Sequence, residues 1–260
     1  MMPPVVIIAG GTATRLRPIT ETVPKSMLEV AGKPFIDHQL HLLRKHGIQK
    51  VVICSGYLSD KIENFVGDGR RYDLSVTFSV DGEKLLGTGG AVKKALPLLG
   101  EEFFVVYGDS YPTVDFKDVY GHFCQQQGRA LMTVFKNCDA FDRSNIVFKE
   151  GKIVTYDKKN KATGMDYIDY GLGMLKKLAF DPMGAREVFD LVEIYQDIIA
   201  KKQMVAYEVL ERFYEIGSLS GLADTERYIL NMQNCQNVEN CHPRESGDPE
   251  HGTGFPLSRE

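Results

Sequence analysis

The chain has 260 residues, 43% of them hydrophobic, and its 31 Lys and Arg against 35 Asp and Glu leave a formal net charge of −4. That length and apolar content suit one α/β unit with a sizeable core. A slightly acidic chain lacks the basic footprint with which a dedicated duplex-binding protein neutralises phosphates, so no nucleic-acid partner is expected and any phosphate should be met locally. The five cysteines, Cys54, Cys124, Cys138, Cys235 and Cys241, form no C-x-x-C pair and no regular spacing, which argues against a disulfide framework or a structural zinc site. No charged-then-apolar leader pattern and no long apolar run occur, so the expected location is the cytoplasm, with no membrane partner.

In chain order, residues 4–9 form a short β-branched run that stops at Gly10-Gly11, which reads as a buried strand entering a glycine loop. Residues 35–46 place Ile36, Leu40 and Leu43 at helical spacing, with Gly47 as the stop. Residues 51–54 read as the next strand and residues 57–66 as the next helix. Strands at 74–79 and 103–107 flank a helix at 91–98. This alternation predicts a mostly parallel sheet. From residue 130 the pattern changes to short strands at 131–136, 145–149, 152–156 and 167–175, read as antiparallel additions. A helix at 190–201, a strand at 204–209 and a last helix from 220 to about 232 follow. Beyond that the composition turns to Asn, Gln, Pro, Gly and charge, with too little apolar surface to offset ordering entropy.

The chemistry concentrates where the first strand ends, at Ala9-Gly10-Gly11-Thr12-Ala13-Thr14-Arg15-Leu16, followed by Pro24-Lys25-Ser26. A loop leaving a parallel strand exposes backbone N–H groups that can cradle a polyphosphate, and Arg15 and Lys25 add cations. A Gly-Gly pair also serves simply to turn a buried strand, and on the loop alone both readings stand. Neither G-x-x-x-x-G-K-[ST] nor G-x-G-x-x-G is present. Asp109 follows the strand at 103–107, where ligands of open α/β sheets gather; a turn or cap is its other reading. Glu215 precedes Gly217, so two carboxylates remote in sequence could share one hard cation. Magnesium, which takes one or two carboxylates plus phosphates and waters, suits so sparse a set. The histidines show no metal-ligand spacing.

Together these segments resemble the sugar-1-phosphate nucleotidyltransferase family, with its G-G-x-G-T-R-L opening and P-K pair. The resemblance recurs at Leu86-Gly87-Thr88-Gly89-Gly90-Ala91, at Tyr107-Gly108-Asp109-Ser110 and at Phe213-Tyr214-Glu215-Ile216-Gly217-Ser218. Its heptose 1-phosphate guanylyltransferase and N-acetylmuramate 1-phosphate uridylyltransferase branches are the most similar in appearance. The resemblance implies an α/β fold, a Rossmann-like three-layer sandwich with a mixed, mostly parallel central sheet, of the nucleotide-diphospho-sugar transferase type. It spans residues 4 to about 230, so the expected nucleotidyltransferase domain is residues 1–232, with 233–260 a low-complexity tail outside the fold.

For the site, the resemblance implies nucleotide binding by Ala9, Gly10, Gly11, Thr12, Ala13, Thr14, Gly87 and Gly108. It implies sugar-phosphate binding by Thr88, Gly89, Asp157, Lys158, Asp169 and Gly171, and catalysis by Arg15, Lys25 and Asp109, with Mg2+ held by Asp109 and Glu215. Four positions depart from the pattern: Ala13 stands for a loop glycine, Glu215 for an aspartate, Asp157 for a glutamate and Asp169 for an asparagine. Residues 157–161 read equally well as a solvated turn.

The implied reaction is in-line attack of a sugar 1-phosphate on the α-phosphorus of a nucleoside triphosphate, giving a nucleotide sugar and pyrophosphate. No general base is needed, because a phosphate monoester with its second pKa near 6 is largely dianionic at neutral pH. Lys25→Ala is expected to lower turnover and leave folding intact, as for an exposed loop cation. The alternatives are a non-catalytic nucleotide-sugar-binding regulator and a UTP- or CTP-dependent member acting on another phosphorylated acceptor. The oligomeric state stays open.

Overall fold

Side-chain alternation along the first strand decides the layering. Val5 and Ile7 of β1 (Val5–Ile8) pack into one apolar cluster and Val6 into another, because successive residues of a strand leave on opposite faces. A strand apolar on both faces must lie between two layers. The computed structural model describes residues 1–11 and 14–240.

After β1 come three short 3-10 turns, Thr14–Leu16, Ile19–Glu21 and Lys25–Met27, then a small hairpin of β2 (Glu29–Val30) and β3 (Lys33–Pro34). There follow α1 (Phe35–Lys45), β4 (Lys50–Ser55), α2 (Ser59–Val66), β5 (Ser75–Val80), α3 (Gly87–Ala95), β6 (Glu102–Tyr107), β7 (Ser110–Tyr111) and α4 (Phe116–Gln125). The second half holds β8 (Ala130–Lys136), β9 (Ile146–Lys149), β10 (Lys152–Tyr156), β11 (Tyr167–Lys176), α5 (Leu191–Ala200), β12 (Met204–Val209), β13 (Tyr214–Glu215) and α6 (Leu219–Asn240).

The main sheet runs β10-β9-β11-β6-β1-β4-β5, with β8 paired to both β11 and β12. β1 is parallel to β4 and β6, and β4 is parallel to β5. At β6 the direction changes, since β11 lies antiparallel to it, Leu172 opposite Val106. Helices α1, α2 and α4 cover one face through Leu40, Ile62 and Phe116. On the other face α3 and α5 pack Val92 and Ile194. The result is the expected Rossmann-like three-layer sandwich with a mixed, mostly parallel sheet.

Several elements differ from the sequence expectations. The helix at 116–125 was not anticipated, although Asp115 caps it by accepting the Lys117 N–H at 2.7 Å and Phe116, Val119 and Phe123 lie on one buried face. β12, to which the sequence assigned no direction, is parallel to β8, because α5 carries the chain back across the sheet before it. The last helix continues past 232 to Asn240. Among the described residues no helix is long and apolar enough to cross a membrane, and Cys54, Cys124, Cys138 and Cys235 are free thiols.

Candidate active site

Two short strands bring two distant acids together. β13 pairs antiparallel with β7, Glu215 opposite Ser110, and the Ile216 N–H donates to the Asp109 carbonyl at 3.0 Å. Asp109 follows the end of β6 in a turn pinned to β1 by the Gly108 N–H, which donates to the Ile8 carbonyl at 2.9 Å. From α1 the buried Gln39 donates through Nε2 to the carbonyls of Tyr107 and Ser110, at 2.9 and 2.7 Å, and so holds both ends of that turn. The Lys25 ammonium reaches Asp109 Oδ2 at 2.6 Å. A Cβ on Gly217 would lie 3.0 Å from Lys25 Nζ and 3.4 Å from Arg15 Nη2. Arg15, Lys25, Asp109 and Glu215 therefore surround one place.

Burial alone would disfavour charge on Asp109, but the Lys25 ammonium and then Lys158 outweigh it and hold the carboxyl below its ordinary value. Glu215 goes the other way. Burial raises its pKa, and the Asp109 charge adds to that, against the opposing hydrogen bonds from the Gly217 N–H and, at 2.9 Å, the Ser218 hydroxyl. Its extra methylene, compared with aspartate, folds the carboxylate back over this turn, so that a Cβ on Gly221 would come within 2.7 Å of Glu215 Cδ.

Among the described residues no group of three or more His, Cys, Asp or Glu could hold a metal by itself. Asp109 Oδ1 receives a long, 3.4 Å contact from Ser110 Oγ, and a carboxylate oxygen can accept more than one such contact, so acceptor capacity remains beside Glu215. These residues fit a hard ion that draws most of its ligands from phosphate and water.

A cleft of about 400 Å³ opens at this point, with Arg15, Asp109 and Glu215 on one side and Lys158, Asp169 and Gly171 on the other. A smaller hollow of about 190 Å³ adjoins it, lined by Ala9, Gly11, Lys25, Thr88 and Gly108. Asp109 and Tyr107 line both, so the glycine-loop side and the second-half side meet at the acid. Gly10 lies behind, against the backbone of Gly56. Thr14 opens the first 3-10 turn, while Thr12 and Ala13 lie outside the described residues.

On the far wall Asp169 is buried. Its Oδ2 accepts the Tyr156 hydroxyl at 2.8 Å and faces Lys158 Nζ at 3.4 Å, and its Oδ1 accepts the Gly171 N–H at 3.1 Å. Lys158 also stands 4.4 Å over the Tyr107 ring. Burial keeps the Tyr107 and Tyr156 phenols far above their ordinary pKa and therefore protonated.

Several of the expected residues also make contacts within the fold. Asp157 is exposed and caps its own turn, accepting the Lys159 and Asn160 N–H groups at 2.7 and 3.0 Å, and it lines a hollow that shares Tyr107 and Lys158 with the main cleft and Thr88 with the smaller one. Gly87 and Gly89 open α3 against the chain's own segment: the Gly89 N–H donates to the Phe189 carbonyl at 3.0 Å, and a Cβ there would strike the Phe189 ring. Thr88 Oγ1 accepts the Leu191 N–H at 2.8 Å, although Thr88 also lines the smaller hollow. Gly171 has φ +94°, and the space a side chain would need is filled by Ser110 Oγ at 2.6 Å.

Sequence reasoning missed Gln39, Asp142, Arg143 and Asn145. The last three line the cleft from the stretch between β8 and β9, where no motif marks them. Gln39 is hidden in an amphipathic helix, and only its burial shows its role.

Residues 4–231 match the family model described as nucleotidyl transferase. An N-acetylmuramate alpha-1-phosphate uridylyltransferase of Neisseria meningitidis serogroup B is 41% identical over 111 residues, which are 42% of this chain and 48% of that protein, so the match spans about half of that relative. A D-glycero-alpha-D-manno-heptose 1-phosphate guanylyltransferase of Campylobacter jejuni is 27% identical over 215 residues, 82% of this chain and 93% of that protein. The solved structure of HddC from Yersinia pseudotuberculosis complexed with GMP-PN superposes with a TM-score of 0.74 at 23% identity, covering 88% of this chain and 100% of that one, which bears on the fold. The family match takes in the glycine strand end, Asp109 and Glu215 alike, and the chain belongs to the nucleotidyl transferase family.

Proposed function

We propose that this chain is a sugar-1-phosphate nucleotidyltransferase, moving a nucleoside monophosphate from a triphosphate to a sugar 1-phosphate and releasing pyrophosphate. GTP with a heptose or hexose 1-phosphate is the first pair to test, since relatives similar over most of the chain are named as heptose 1-phosphate and mannose-1-phosphate guanylyltransferases. The cellular setting proposed is cytoplasmic supply of nucleotide sugars for surface polysaccharide.

The observation that carries this reading is the convergence of Lys25, Asp109 and Glu215 through the β7–β13 pairing. Two mutually repelling anions must be aligned, and the charge that develops on the bridging and leaving oxygens must be stabilised. Lys25, oriented by Asp109, presents its ammonium to the reacting phosphates. Arg15 is exposed and meets Asp142 only at 3.8 Å; so weak a surface pair exchanges readily for pyrophosphate oxygens. Lys158, fixed by Asp169, faces the incoming phosphate. Mg2+, which Asp109 with Glu215 would hold, supplies Lewis-acid charge neutralisation when bound.

A matrix of four nucleoside triphosphates against several sugar 1-phosphates, read as pyrophosphate release with and without Mg2+, tests the reading. Turnover in at least one combination is expected, with a loss of 100-fold or more in Asp109→Asn, the scale of an electrostatic group lost from a transition state. Binding of triphosphate without turnover in any combination would favour a regulatory nucleotide-sugar sensor. Unchanged Mg2+ titration in Asp109→Asn would remove the acid from the metal site.

A further inference from the structure

Ser26 follows Lys25 in the third 3-10 turn, Lys25–Met27. The Met27 N–H donates to the Pro24 carbonyl at 2.8 Å and the Leu28 N–H to the Lys25 carbonyl at 3.1 Å, while Leu28 is buried in one cluster with Val30 and Phe35. The turn is therefore set before any ligand arrives, which lowers the ordering cost of a contact made from it.

Ser26 is 2% exposed, and among the described residues its hydroxyl has no hydrogen-bond partner. Burying a hydroxyl without a partner costs free energy that alanine, filling nearly the same space, would not incur. A serine kept in that state points to a partner from outside the fold. Ser26 lines the smaller hollow together with Gly11, Lys25, Gly108 and Asp109. The two other hydroxyls on that wall are engaged, since Thr88 Oγ1 accepts the Leu191 N–H at 2.8 Å and the Tyr107 hydroxyl meets Lys158 Nζ at 3.4 Å. Arg15 and Lys158, the cations for pyrophosphate and for the incoming phosphate, line the larger cleft and not this hollow. What is left for a hydroxyl beside the Lys25 ammonium is the phosphate between those two, the one that is transferred.

We propose that the Ser26 hydroxyl donates a hydrogen bond to a non-bridging oxygen of the α-phosphate of the nucleoside triphosphate, in the hollow it shares with Lys25. This rests on the transferase reading above and adds a substrate contact to it.

Ser26→Ala tests the assignment. Without ligand its melting temperature should equal or exceed the parent's, because the hydroxyl removed has no partner in the fold. Its kcat/KM for the triphosphate should fall about 10- to 100-fold, the range for a hydrogen bond to a charged group, with the midpoint of the Mg2+ titration unchanged. By calorimetry its affinity for GMP should fall while that for guanosine, which has no phosphate, should stay; the monophosphate and nucleoside of another base take their place if the parent turns over that triphosphate instead. A lower melting temperature without ligand would give the hydroxyl a partner inside the fold. Unchanged kcat/KM, or equal losses for monophosphate and nucleoside, would take it off the phosphate, and a shifted Mg2+ midpoint would put it on the ion. Each of these overturns the proposal and leaves the transferase reading standing. Pyrophosphate release by the parent from no combination of substrates would overturn that reading, and this one with it.

Discussion

The Lys25 side chain is 17% exposed and that of Asp109 is 31% exposed, so the pair is neither a surface contact nor fully dry. That geometry changes what Lys25→Ala should do. The sequence suggested an exposed loop cation whose loss the fold would ignore, whereas its removal would leave a half-buried carboxylate uncompensated. A cost of about 1–3 kcal/mol lies between the exposed and buried limits, or roughly 2–4 °C in Tm per kcal/mol for a chain of this size. Since pairing lowers the folded-state pKa of Asp109, its contribution is whole above the ordinary value of 3.8 and is lost as pH falls through the lowered one. Thermal melts of parent and Lys25→Ala should differ at pH 7 and converge as the pH is taken below 3.8. A gap independent of pH would assign the destabilisation elsewhere.

Helix α1 acts on the chemistry at one remove. Gln39→Leu would strip the hydrogen bonds from the Tyr107 and Ser110 carbonyls on either side of Asp109, at about 1–3 kcal/mol for each buried acceptor left unsatisfied. The expected kinetic result is a fall in kcat larger than any rise in KM, because the displaced group is the acid and not a substrate contact. Equal kcat in a folded variant would show that the turn holds itself.

Element by element, periodicity made the first half legible: the strand around Val5 to Ile8, the helix around Leu40 and the strand around Ile53 all fall where spacing placed them. What stayed hidden needed tertiary information. Two-residue strands such as Tyr214–Glu215 have no periodicity to read. The helix around Val119 was visible in principle, from Asp115 and the spacing of Phe116, Val119 and Phe123. At the site, the sequence named Asp109 and Glu215 but could not show the pairing that joins them, nor that Gly89 packs against Phe189 and Asp157 caps its own turn.

For the molecule as a whole, α6 marks where the fold stops depending on sequence order. Thr225 Oγ1 donates to the Glu215 carbonyl at 2.8 Å, Glu226 accepts the Ala31 N–H at 3.1 Å, and Ile229 is buried beside Leu16, Val30 and Ile216. Residues 231–235 are exposed. A chain ending at Asn240 is expected to keep the parent's Tm within about 1 °C, because the sequence of residues 241–260 holds little apolar surface to offset its ordering entropy. One ending before Thr225 should lose both stability and turnover. Differential scanning calorimetry with the pyrophosphate assay distinguishes these outcomes, and a large drop on ending at Asn240 would place residues 241–260 in the fold.

The clasp of α6 on Glu215 also sets an order of events during synthesis. A nascent chain can lay down the parallel strands and present Lys25 to Asp109 while the ribosome has yet to translate the second acid or the helix that secures it. On the proposed reading, a product arrested before Glu215 lacks the second acid and the helix that secures it, and should therefore show no turnover.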